Sequence, residues 1–222
     1  MSTAGTAGAA GDPAALVAGL RDRVLALAAA RPRVLVGVVG EPGAGKSTLT
    51  AALAEALVAS GVSTVVVPMD GFHLANVELA RLGRADRKGA IDTFDGAGYL
   101  ALLRRLRDPD EGVVYAPMYV RGQVESSIGS AIPVAPDVRV VLTEGNYLLV
   151  EAEPWRQVRA VLDETWFVDV DPELRRRRLF ERHVANGKST ERASAFTFGS
   201  DELNARLVSQ TRELADLVVP WA

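Results

Sequence analysis

The run Gly40-Glu41-Pro42-Gly43-Ala44-Gly45-Lys46-Ser47-Thr48 satisfies the pattern G-x-x-x-x-G-K-[ST]. Residue types in this order suit one task. Glycines let successive backbone N–H groups turn inward around phosphate oxygens, and the start of a following helix adds positive potential. Lys46 can reach the β- and γ-phosphates of a nucleotide, and Ser47 offers its hydroxyl to Mg2+. Lysine is scarce in this chain, at 46, 88 and 188 only, so a lysine-rich composition does not explain the match. Gly187-Lys188-Ser189-Thr190 repeats the tail of the motif, but Arg182 stands five positions before Gly187 and no apolar run leads into it. That copy is not a phosphate loop.

Two carboxylates close apolar runs: Asp70 follows Ser63–Met69 and Glu144 follows Val138–Thr143. In an open parallel sheet, ligands bind beyond the carboxyl ends of the strands. If both runs are strands flanking the one that feeds the phosphate loop, both acids face the γ-phosphate. Asp70 is then the group that orients an accepting hydroxyl and takes its proton, and Glu144 the group that holds a metal's water shell. The plainer alternatives are an Asp-Gly turn at Asp70 and a surface acid at Glu144. Farther on, Asp171-Pro172 reads as a helix start, followed by Arg175 to Arg178, Arg182 and His183. Such a run is commonly a solvated basic face, yet cations closing over a triphosphate would stabilise transition-state charge. Arg178 and Arg182 stand four apart on one helix face. They are assigned to the nucleotide, with Lys188 and Arg192 in a mobile loop beyond; spacing alone does not say which of the four consecutive arginines faces it.

The elements that must position these groups alternate. Pro13–Ala30 carries a helical stripe through Leu16, Val17, Leu20, Val24, Leu27 and Ala28, and Val34–Val39 is a short apolar run that reads as a strand buried on both faces. Ser47–Ala59 returns to helical periodicity. Further apolar runs at Ser63–Met69, Val138–Thr143, Thr165–Val170 and Leu217–Val219 alternate with helical segments at 75–82, 98–107, 154–161, 172–185 and 201–215. This order predicts a mostly parallel sheet covered by helices. Residues 83–136 fit less well: a strand-like Val113-Val114-Tyr115 precedes a stretch dotted with Gly, Pro and Ser, which reads as an insertion over one sheet edge.

Composition excludes several classes. With no Cys there is no disulfide scaffold, thiolate nucleophile or Cys-based metal cluster, and with two His a metal would rest on carboxylates and waters. A net charge of −3 argues against a nucleic-acid partner held by phosphate contacts. At 222 residues a single domain with a full core is the default. The first twelve residues, MSTAGTAGAAGD, lack a basic segment and a long apolar core and read as a disordered tail. No run is long enough to span a membrane, so a cytoplasmic location is expected.

Taken together, Gly40–Thr48, Asp70-Gly71-Phe72-His73, Thr93-Phe94-Asp95, Ala116-Pro117-Met118-Tyr119, Glu144-Gly145-Asn146-Tyr147, Phe167–Asp171 with the Arg helix, and Asn204–Asp216 resemble the phosphoribulokinase/uridine kinase family of P-loop kinases. Pro68–His73 looks most like its nucleoside/nucleotide kinase or fructose-transport-system kinase subgroup. The resemblance implies a P-loop NTPase three-layer α/β sandwich over residues 13–222. Its sheet would have five strands, mostly parallel, with the Asp70 strand at one edge and an Arg-bearing lid at 175–192. It also implies ATP and Mg2+ as cofactors, a catalytic role for Asp70, metal-side placement of Glu144, and Phe94, Asp95 and Tyr119 lining the acceptor pocket beside His73; Lys46, Arg178 and Arg182 are the further catalytic candidates. A small hydroxylated metabolite such as a nucleoside, a sugar or a pantothenate-like acceptor is the implied partner, and a homodimer the implied assembly. Where uridine kinases carry a His-containing pyrimidine reader, this chain has Val120-Arg121-Gly122-Gln123-Val124-Glu125. There Arg121, like Arg87 and Lys88, could meet an anionic acceptor or simply be surface charge. A GTPase would need an Asn-Lys-x-Asp guanine reader, which is absent. A P-loop ATPase that drives a protein partner remains the alternative reading.

Overall fold

The computed structural model describes residues 12–121 and 125–221. The expected tail lies outside these residues, except for Asp12, whose side chain accepts a 3.0 Å hydrogen bond from the Ala14 N–H and caps the first helix. In chain order the elements are α1 (Pro13–Ala30), β1 (Val34–Val39), α2 (Lys46–Ala59), β2 (Thr64–Pro68), α3 (Asn76–Arg81), α4 (Gly96–Arg107), β3 (Val114–Val120), β4 (Ser126–Val134), β5 (Val140–Gly145), α5 (Trp155–Val161), β6 (Glu164–Asp169), α6 (Pro172–Ala185), α7 (Thr190–Phe198), α8 (Ser200–Ser209) and β7 (Leu217–Pro220).

Five strands form one parallel sheet in the order β2-β5-β1-β6-β7. Every residue of β1 and β5 is buried, which is why β1 reads as an unbroken apolar run rather than an alternating one. Side chains alternate across the sheet. Leu35 and Val39 pack with Tyr99, Leu103, Trp155 and Val208 from α4, α5 and α8 on one face. Val34, Val36 and Val38 pack with Leu20, Val24, Leu49, Leu53 and Leu57 from α1 and α2 on the other. The order bears out the Asp70 strand at one edge of the sheet, while the condition that both acid-bearing strands flank β1 is not met. Only β5 and β6 flank β1; β2, ending in Pro68 as an edge strand can, lies beyond β5. Pro68 pairs with Glu144 in register, and Glu144 with Val38, so Glu144 stands between the phosphate loop and Asp70.

Within residues 83–136, expected as an insertion over one sheet edge, β3 and β4 form an antiparallel pair with a bulge between Ala116 and Met118. It sits directly over the Asp70 turn: a Cβ on Gly71 would collide with the Pro117 carbonyl, so only glycine permits this approach. Ser127 also donates a 3.1 Å hydrogen bond from Oγ to the His73 carbonyl. The segment expected as a mobile loop around Arg192 is instead α7, started by Ser189, whose Oγ accepts from the Arg192 N–H. Among the described residues no helix is long and apolar enough to cross a membrane.

One buried cation ties the base of the sheet together. Arg33 is 2% exposed, and its guanidinium donates to the carbonyls of Val138, Leu106 and Ala135 at 2.8 Å and of Pro136 at 3.0 Å. Arg33→Ala strands these acceptors, and the expected loss of stability is about 3–5 kcal/mol. Urea denaturation reads it directly; a loss below about 1 kcal/mol would mean that water replaces the guanidinium freely.

Candidate active site

The phosphate loop leaves β1 at Gly40 and enters α2 at Lys46. Gly43 and Gly45 hold φ of 86° and 88°, the left-handed region, which turns the loop back on itself. A Cβ at Gly43 would lie 2.7 Å from the Arg175 carbonyl, and one at Gly45 2.8 Å from the Trp221 ring. Lys46 is 8% exposed. Its Nζ donates to the Gly40 carbonyl at 3.0 Å, the Glu41 carbonyl at 3.1 Å and Asn146 Oδ1 at 2.7 Å. Burial pulls its pKa down to about 8, against the opposing charges of Glu144 and Asp70. Ser47 donates a 3.0 Å hydrogen bond from Oγ to Glu144 Oε1. Burial and the charge of Asp70 push the Glu144 pKa up, while Lys46 and Ser47 hold it down.

The four consecutive arginines separate into different tasks, as spacing could not show. Arg175 is buried and braces the loop: Nη2 reaches Glu202 Oε2 at 2.6 Å, Nη1 donates to the Pro42 carbonyl at 3.3 Å, and Nε makes an ion-pair contact with Glu41 Oε2 at 2.7 Å, off the hydrogen-bond axis. Arg176 pairs with Glu202 at 3.1 Å, and Arg177 is exposed. Arg178 and Arg182 both line a cavity of about 420 Å3 above Gly43, Gly45, Lys46, Ser47 and Thr48. Arg178 Nη1 is buried without a hydrogen-bond partner among the described residues. A cationic N–H so placed beside a glycine cradle fits an anionic group such as a nucleotide's phosphates. Asp171 caps α6 by accepting from the Glu173 and Leu174 N–H groups at 2.9 Å, with Pro172 first in the helix.

A second cavity of about 280 Å3 adjoins the first and is lined by Lys46, Ser47 and Glu144 at one end and by Asp70, His73, Phe94 and Tyr119 at the other. Asp70 sits in a 3-10 turn, Met69–Phe72, directly after β2, and forms an ion pair with Arg121 from the end of β3. His73 Nδ1 lies 2.8 Å from the Asp70 carbonyl. A carbonyl only accepts, so Nδ1 carries the proton and Nε2 is left as an acceptor. Burial lowers the His73 pKa against the pull of Asp70, which favours the neutral ring. That ring lies between Phe94 and Tyr119, with centroids at 4.1 and 4.6 Å. Tyr119 donates to Glu125 Oε2 at 2.8 Å.

Lys88, weighed above against an anionic acceptor, and Lys188, placed beyond the nucleotide arginines, also line this cavity, as do Asn146, His183, Asp201 and Asn204, to which the sequence reading gives no role. Lys88 Nζ donates to Asn76 Oδ1 at 2.6 Å and the Glu125 carbonyl at 2.7 Å. Asp95 does not reach the cavity. It is exposed, and its side chain accepts a 2.8 Å hydrogen bond from the Gly98 N–H as the cap of α4, which corrects its placement in the acceptor pocket. Arg87 is spent on Asp92 at 2.8 Å, away from the cleft.

A parallel sheet whose central strand feeds a glycine loop, with an arginine-bearing helix over that loop, defines the P-loop kinase fold. The sequence profile of the phosphoribulokinase/uridine kinase family matches residues 35–221, and the chain belongs to that family. It is similar to a candidate fructose transport system kinase from Silicibacter sp. TM1040, whose crystal structure superposes with a TM-score of 0.82 at 38% identity, covering 96% of this chain and 100% of that one. It is 32% identical to a candidate uridine kinase of Schizosaccharomyces pombe over 208 residues, 90% of this chain and 88% of the relative. It is also 35% identical over 161 residues to the ATP-dependent kinase-like protein notR' of Aspergillus versicolor, 68% of this chain and 93% of the relative.

Proposed function

We propose that this chain is an ATP-dependent phosphotransferase that moves the γ-phosphate to a hydroxyl of a small metabolite. The observation that carries the reading is a single cleft with Lys46, Ser47 and Glu144 at one end and Asp70, flanked by an aromatic pocket, at the other. Gly40 to Thr48 would hold the phosphates, with Lys46, Arg178 and Arg182 as the cations around them. Mg2+, when bound, would neutralise charge on the β- and γ-oxygens. Ser47 and Glu144 would hold it. Among the described residues no cluster of three acids or histidines offers a metal site made of protein alone, so most of the shell would be water and phosphate.

An acceptor lying against Phe94, His73 and Tyr119 presents its hydroxyl to Asp70. As the hydroxyl oxygen bonds to the γ-phosphorus, the bond from that phosphorus to the β,γ-bridging oxygen breaks. Asp70 takes the hydroxyl proton and ADP leaves. Cations from α6 replace water around the transferring group, which favours the acceptor over hydrolysis. The test is ADP release from Mg·ATP across nucleosides, sugars including fructose, hydroxy acids and pantothenate, with the phosphorylated product confirmed by mass. One acceptor that raises turnover well above background and gains a phosphate is the expected result. Turnover that rises only with a protein partner, with no phosphorylated small molecule, would replace this reading with the partner-driven ATPase.

A further inference from the structure

Arg121 does not belong to the phosphate loop or to the arginine helix, yet it reaches the ground between them. The two cavities share four lining residues: Lys46, Ser47, Arg121 and Arg182. A residue common to the nucleotide cavity and the acceptor cavity stands where the transferring group must pass. Lys46 and Ser47 open α2, and Arg182 belongs to α6; Arg121 comes from the opposite wall, at the end of β3.

Resting on the kinase reading, we infer that Arg121 is a catalytic residue, a guanidinium delivered from the acceptor-side hairpin to the γ-phosphate and parked on Asp70 until that phosphate arrives. Three features support the transfer. The Asp70–Arg121 pair is open to water, with 28% and 45% of the two side chains exposed, and an exposed pair of this kind gives way to a multiply charged phosphate that can accept a two-pronged contact. The arm has a pivot, because the guanidinium lies 5.3 Å from the Tyr119 ring centre, where it can swing while stacked. Its charge also bears on Arg182 across the gap, so the two guanidiniums repel until an anion comes between them.

The arrangement couples two events. While paired, Asp70 has an oxygen occupied by Arg121 and cannot offer it to a hydroxyl. Departure of Arg121 toward the γ-phosphate frees that oxygen as the reactive nucleotide becomes bound. Bonds and protons move as in the transfer described above; Arg121 only donates N–H hydrogen bonds to phosphoryl oxygens and neither gains nor loses a proton.

Calorimetric titration of the full chain with Mg·AMP-PNP and with Mg·ADP separates this role from a structural one. Arg121→Gln should lose about tenfold or more in affinity for AMP-PNP, the cost of one charge-assisted contact, while ADP affinity stays within about twofold because ADP lacks the γ-phosphate. Arg121→Lys should recover part of the difference, keeping the charge but not the fork. An unchanged preference for AMP-PNP in Arg121→Gln, or an equal loss for both nucleotides, would overturn the inference alone. Failure of the unaltered chain to bind either nucleotide would overturn the kinase reading and this inference with it.

Discussion

Asp70→Asn lowers the acceptor-dependent rate of ADP release by about 10²–10⁴-fold, the usual worth of a general base, and leaves Mg·AMP-PNP binding in place. Asparagine keeps the size and the turn geometry at the end of β2 but cannot take the proton from the acceptor hydroxyl. Among the described residues Asp70 touches none of the phosphate loop by hydrogen bond or ion pair; its ion pair is with Arg121, and the neutral His73 ring stands 4.0 Å from its carboxylate. Loss of its charge should therefore be felt in turnover and not in capture of the nucleotide. Full turnover by the variant would move the base elsewhere in the cleft, and His73 Nε2 would become the first candidate.

Lys46→Ala has the next largest effect, and it falls on nucleotide use as a whole. The Lys46 ammonium is held by two loop carbonyls and Asn146, so it is aimed before any phosphate arrives. Removal of one preorganised donor at a site of developing charge costs about 10²–10³-fold in rate. The same side chain gives a pH signature. Its pKa in the free protein is about 8, below the ordinary lysine value because of burial, and a bound phosphate favours the charged form and raises it. Binding then takes up a proton above pH 8, so AMP-PNP affinity falls as pH rises, approaching about tenfold per unit. By the same sign, the folded free chain holds fewer Lys46 protons than the unfolded chain between about 8 and 10.5, so this group's penalty on stability shrinks as pH rises through that window. Titration of AMP-PNP at pH 7.5, 8.5 and 9.5 should show the decline in the natural chain and none of it in Lys46→Ala. An unaltered alkaline decline in the variant would assign it to another group.

Much of the scaffold was legible because it is written in local signals. The apolar run of β1, the glycine loop and the start of α2 follow one another without interruption, and Asp171-Pro172 marks the start of α6. Signals that depend on tertiary partners were not legible. The β3–β4 hairpin is half exposed, and it takes its place from the approach of Pro117 to Gly71 rather than from an apolar run. Asp95, which the resemblance places in the acceptor pocket, precedes a helix by one residue, and its capping pattern, with Gly98 as the donor, is the cue against that placement. Ser189-Thr190-Glu191 at the start of α7 is a similar cue. Among the four consecutive arginines, periodicity could pair Arg178 with Arg182 but could not show that Arg175 is buried against Glu41 and Glu202, since those partners lie on other elements. Asn146 stands only two residues after Glu144, yet its link to Lys46 depends on the β1–β5 register.

The most direct measurement is the fate of the γ-phosphate. The chain is incubated with Mg·ATP labelled at that position in a small-molecule extract freed of protein, and the label is followed by mass. A kinase cleft arranged around Asp70 predicts label on one small hydroxyl compound, absent with Asp70→Asn. Label recovered only as inorganic phosphate, in equal amount with and without the extract, would contradict it.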